Sequence, residues 1–210
     1  MIDIGEVAKA VGASETAALL IKNMLDVPTK KIGELLGDCV SHWQWCNRIN
    51  IAEKAYRKLQ EKNIDPRALP PSFAVPLLRD AGDVEDEFLQ DLWAALITSA
   101  TADDRNVNIA FVDILHSMNP SDAIFLDAVL RTQHAGRDGR IEAVMNASTL
   151  TQEQATMSSH NLARLGLFNV TGNRLIDIAF FFLEACGSDQ TLIEGLREKQ
   201  KLLPHNLLSE

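Results

Sequence analysis

Asp83-Val84-Glu85-Asp86-Glu87-Phe88-Leu89-Gln90-Asp91-Leu92-Trp93-Ala94-Ala95-Leu96-Ile97 is the stretch on which the fold turns. Acids crowd its start, where they complement the positive end of a helix dipole. Apolar side chains then recur at Phe88, Leu89, Leu92, Trp93, Leu96 and Ile97, the spacing of an amphipathic helix with a broad buried stripe. The stretch therefore predicts a helix over 83–100, with Asp83 as its N-cap.

The flanks carry the same signal. Val27-Pro28-Thr29 starts a long helical pattern that runs to Asn63, with Ile32, Leu35, Leu36, Cys39, Val40, Trp43, Cys46, Ile49, Ala52, Tyr56 and Leu59 in its stripe. This predicts one long helix over 29–63. Before it, Ile4 to Met24 has helical spacing broken at Gly12-Ala13-Ser14, with Ser14 placed to cap the second half. Pro66, Pro70, Pro71 and Pro76 make 64–76 a Pro-rich link, because the residue before a proline is pushed out of the helical region. A short helix is expected to emerge from it over Phe73 to Asp80.

Further on, helices are expected over Val107 to Ser117, from Asn119-Pro120-Ser121-Asp122 into Ala123 to Leu130, and over Ile141 to Ala147. Thr151 and Gln154 have the spacing of a capping box, and the helix they open should stop at Gly166. Leu167 to Val170, a turn at Thr171-Gly172-Asn173 and Leu175 to Ile178 read as a small β-hairpin, followed by a helix from Ala179 to Cys186. Three helices and a hairpin are the order of a winged-helix module. The expected fold is thus mainly α: a helical domain over 1–118, a winged-helix-like module with its hairpin over 119–187, and a tail over 188–210.

Composition narrows the function classes. The chain has 210 residues, 46% apolar and 23% charged, with a net charge of −9. Broad, sequence-independent nucleic-acid binding needs a surplus of Lys and Arg, which is absent. The acidity is concentrated in residues 67–119, where nine acids face three bases. The start lacks the basic and apolar regions of a secretory signal, and the longest uncharged apolar runs, such as Ala17 to Ile21, are far below the roughly 18 residues of a spanning helix. A cytoplasmic location with free thiols at the three cysteines is expected.

Several residues could carry function. Cys39, His42 and Cys46 share one helix face and have zinc-ligand chemistry, but the paired Cys-x2-Cys spacing of a zinc site is missing. The commoner reading is two small core cysteines on an apolar stripe, so no metal or cofactor is expected. Gly33 and Gly37 form a Gly-x-x-x-Gly pair that suits close helix packing, within the fold or across a dimer. Trp43 and Trp45 lie two residues apart on the same helix, so they face different sides and at least one should be partly exposed. Gly33, Gly37, Trp43 and Trp45 are the expected interaction residues. Arg164 in the third helix of the winged-helix-like module and Arg174 at the hairpin tip are the nucleic-acid candidates, a thin set for a DNA reader. Ser159 and His160 are adjacent and diverge on a helix, so they make a poor nucleophile and base.

Five strings, in order, resemble the Abi-alpha (abortive infection alpha) family of bacterial phage-defence proteins. They are Lys30-Lys31-Ile32-Gly33-Glu34-Leu35-Leu36-Gly37-Asp38, Ile64-Asp65-Pro66-Arg67, Val75-Pro76-Leu77-Leu78, Asp86 to Leu96, and Asn161-Leu162-Ala163-Arg164-Leu165-Gly166-Leu167. The chain departs from the family at Leu175-Ile176-Asp177, where a hydroxyl-capped helix start is usual. The resemblance implies a role in abortive infection and no particular chemistry. No histidine follows an arginine at the offset used by HEPN-type RNases, and no phosphate loop is present. The expectation is a non-enzymatic component of phage defence that works through protein contacts or self-association, with no small-molecule substrate. The alternatives are a DNA-binding regulator, such as an antitoxin or prophage repressor, and an effector that perturbs membranes.

Overall fold

A computed structural model describes residues 15–25, 42–102, 108–132, 140–168 and 177–187, together with 191, 193–195, 197 and 198. Those residues are mainly helical. In chain order the helices are α1 (Glu15–Leu25), α2 (His42–Glu61), α3 (Pro71–Ala81), α4 (Glu87–Ala102), α5 (Ala110–His116), α6 (Pro120–Thr132), α7 (Arg140–Ala147), α8 (Gln152–Arg164) and α9 (Asp177–Ala185). The chain divides into two compact units, Met1–His116 with Ala185–Gly187, and Ser117–Glu184 with Ser188–Glu210. No helix among the described residues is long and apolar enough to cross a membrane.

In the first unit, α2 packs along α4 and against α1, while α3 touches α1, α2, α4 and α5. The apolar stripes read from the sequence are what these contacts bury: Leu20, Ile21 and Met24 of α1, Ile49 and Ala52 of α2, Leu77 and Leu78 of α3, Trp93 and Ile97 of α4. Each large aliphatic side chain so buried contributes about 1.5–3 kcal/mol. Small residues let α2 and α4 come close. Ala55 and Ala94 are fully buried, and Thr98 Oγ1 donates to the carbonyls of both, at 3.3 Å and 2.8 Å.

Local boundaries shift from the sequence reading in instructive ways. Of the helix expected over 29–63, the part from His42 to Glu61 is helical and Lys62 and Asn63 form the turn that ends it; residues 29–41, with Ser14, lie outside the described residues. The helix ends where Asn63 takes a left-handed φ of 52° and Ile64 N–H returns to Leu59 O, the close of a Schellman motif. The Pro-rich link is shorter than 64–76. It covers 64–70, because Pro70 and Pro71 start α3 and Pro76 lies inside it. Proline is well suited to the first turn, where its missing N–H costs nothing. Burial of Ala74, Leu77 and Leu78 around Pro76 offsets the lost helix bond there.

The acidic helix begins at Glu87, not at Asp83. Its N-cap is Asp86, whose Oδ1 accepts the Leu89 N–H at 3.0 Å. Asp83 is occupied elsewhere: its Oδ1 accepts from Gln44 Nε2 at 2.6 Å, within the turn that joins α3 to α4.

In the second unit, α6, α7 and α8 pack on one another pairwise. The capping box is present, with Thr151 and Gln154 exchanging hydrogen bonds of 3.2 Å and 2.9 Å. Helix α8 closes at Gly166, which has φ +75°. Leu167 N–H returns to Leu162 O and Gly166 N–H to Ala163 O. Phe168 then meets Phe125 edge-on, with ring centroids 6.1 Å apart. The β-hairpin of the winged-helix reading falls largely outside the described residues, which contain no strand. One part of it is corrected: Asp177 and Ile178, read as the end of the second strand, are the first residues of α9. Aspartate is depleted in strands and favoured in a first helical turn.

Candidate functional site

One face of α2 makes several long-range polar contacts in the first unit. Gln44 and Asn47 reach the α3–α4 turn, and Arg48 reaches the last turn of α3. Arg48 Nε donates to Leu78 O at 2.7 Å and its Nη2 to Arg79 O at 3.0 Å, so a cation closes the negative end of α3. Asn47 Nδ2 donates to Gly82 O at 2.9 Å. Arg48 is 1% exposed and its Nη1 is buried without an acceptor. Burial lowers its pKa, while Asp83 and Asp80 raise it. Its guanidinium carbon lies 5.3 Å from the ring centre of Trp45, a cation–π contact that compensates part of the lost hydration.

Trp45 is therefore a core residue, sealed under Arg48, and offers no surface to a partner. Trp43 faces the other way and is 45% exposed. Gly33 and Gly37 lie outside the described residues. So does Cys39, while His42 is exposed and Cys46 half-buried. Among the described residues no three His, Cys, Asp or Glu side chains gather to hold a metal ion. Cys46 and Cys186 are free thiols. Burial pushes the Cys186 thiol well above its usual range, which makes it a poor nucleophile.

A polar cleft of about 390 Å³ opens beside this face, lined by Asn47, Asn50, Glu53, Lys54, Arg57, Glu85, Glu87 and Gln90. Its cations are already paired: Lys54 with Asp91 at 2.8 Å and Arg57 with Glu53 at 2.8 Å. Asn47 and Gln90 spend amide donors on Gly82 O and Val84 O. No Ser, Thr, Cys, His or Tyr lines the cleft.

In the second unit Arg164 is exposed at the end of α8. Its Nε and Nη2 donate to Asn161 Oδ1 at 3.0 Å and 2.7 Å. Asn161 Nδ2 in turn donates to the buried Asp122 Oδ2 at 2.6 Å and to Ser117 O at 3.3 Å. Asp122 Oδ2 also accepts the Asn119 N–H at 2.8 Å, so the start of α6 and the end of α8 share one carboxylate. Arg174 lies outside the described residues. Arg48, Asn47 and Asp122 carry no mark of a site in the sequence, and Asn161 stands there only on the helix that a DNA reader would present. Asn119-Pro120-Ser121-Asp122 was legible as a helix start, but nothing local marked its carboxylate as a partner for Asn161.

No similar curated protein and no similar solved structure was found. The profile of the family described as abortive infection alpha matches residues 46–203, well over half of the chain, and takes in the Arg48 lock, the polar cleft and the Asp122–Asn161–Arg164 chain; the protein belongs to that family.

Proposed function

We propose that this chain is a non-enzymatic component of abortive infection that acts through protein contacts. The observation that carries this reading is Trp43, a large aromatic left 45% exposed at the start of a helix whose neighbouring Trp45 is sealed in the core. Exposed tryptophan is costly in water and concentrates binding energy at interfaces. Family membership supplies the biological setting. Gly33 and Gly37, read from the sequence as interaction residues with it, lie outside the described residues.

The test is infection of a sensitive host expressing the chain, at low and high phage multiplicity. The expected result is fewer plaques, with collapse of the high-multiplicity culture and no phage release. Trp43→Ala should fold normally and lose most of that protection. Normal plating with the unaltered chain would reject the role in infection. Full protection by Trp43→Ala would reject the contact.

A second reading is a DNA-binding regulator, supported by the packed α6–α8 trio and the exposed Arg164. It predicts duplex binding whose log affinity falls linearly with log salt; no binding at low salt removes it. The net charge of −9 weighs against it.

A further inference from the structure

Arg164 is held in place by a neutral group. Two of its nitrogens are fixed on a neutral amide, and that amide is itself fixed by a buried carboxylate. No ion pair to Arg164 occurs among the described residues. Such restraint lowers the entropy lost when the guanidinium takes up an anion. Met157 lies seven residues earlier on the same helix, hence on the same face, and is 72% exposed. The outward face of α8 thus carries an apolar knob and a cation that makes no direct ion pair among the described residues, with Glu153 and His160 also exposed.

The matching chemistry is in the chain itself. At the start of α4, Glu85 and Glu87 are exposed and Phe88 is 50% exposed. Lys54 lies 3.8 Å from Glu87 but is committed to Asp91 at 2.8 Å, so the acidic patch keeps a surplus of negative charge.

We propose that a second copy of this chain covers the outer face of α8: Arg164 of one copy takes Glu85 and Glu87 of the next, and Met157 packs on its Phe88. Arginine pairs well with carboxylates, and a thioether packs favourably on an aromatic ring. Nucleic acid fits this face less well, since α8 offers a single Arg beside Glu153 and an apolar Met157. The contact joins two different patches, so it either closes reciprocally as a two-fold dimer or runs on head-to-tail into rings or filaments. It stands independently of the role in infection and of Trp43.

The test is sedimentation velocity of the full chain over a range of concentrations. The unaltered chain should sediment faster as concentration rises. R164E, and separately E85R with E87R, should each weaken association about tenfold or more, because each sets like charges against each other. An equimolar mixture of the two variants should recover association, since each supplies the charge the other lost. Far-ultraviolet circular dichroism checks that each variant folds; R164Q and E85Q with E87Q replace any that does not, and should also weaken association. A single slow species at every concentration overturns the proposal. So does association of either variant at full strength, or a mixture no tighter than its parts.

Discussion

Gly82 has an ordinary helical backbone, with φ −65° and ψ −26°, yet an alanine there meets an obstacle. Its Cβ would stand 2.5 Å from both Cζ and Nη2 of Arg48. A long side chain normally swings away, but this one is buried and tied to two carbonyls at the end of α3. Gly82→Ala should therefore cost about 1–3 kcal/mol, the usual range for an overpacked core. Arg48→Ala should also cost about 1–3 kcal/mol, by removing the donor to the buried Leu78 carbonyl. The double variant should cost clearly less than the sum, because the clash needs both partners. Urea unfolding of the three variants measures this, and strict additivity would show that the two residues do not meet. Gly166 is the opposite case, with no atom within 4 Å of its Cβ position but a φ of +75° that only glycine adopts cheaply.

Helix starts and stops follow short-range chemistry, and most of them could be read in advance. The Thr151–Gln154 box, the Asn119-Pro120 start and the Gly166 stop are each contained within a few residues, so the sequence displays the whole interaction. The start of α4 was misplaced because Asp83, Glu85, Asp86 and Glu87 are chemically alike there. Only the pull of Gln44 on Asp83 assigns one acid to the turn and leaves Asp86 as the cap. Asp86→Ala should accordingly lower stability by about 1 kcal/mol through the lost cap. Asp83→Ala should do less, since it removes an exposed contact. Equal losses in thermal melts would contradict the assignment.

Two compact units imply that damage to one should stay local. Asn161→Ala removes the amide that ties the start of α6 to the end of α8. By hydrogen exchange, amides of α6 and α8 should lose protection by about tenfold, the effect of roughly 1.4 kcal/mol, with α2 and α4 unchanged. Loss spread evenly over both units would show that they open together. The helical class, the order of the helices after residue 42, the Thr151 cap and the Gly166 stop were written in the sequence, because hydrophobic period and capping act over three or four residues. What the tertiary structure alone decided is which of Trp43 and Trp45 is sealed, that Arg48 closes α3 from 30 residues away, and that Asn161 rests on a carboxylate 39 residues back. Those pairings depend on which helix faces meet, and no local pattern records that.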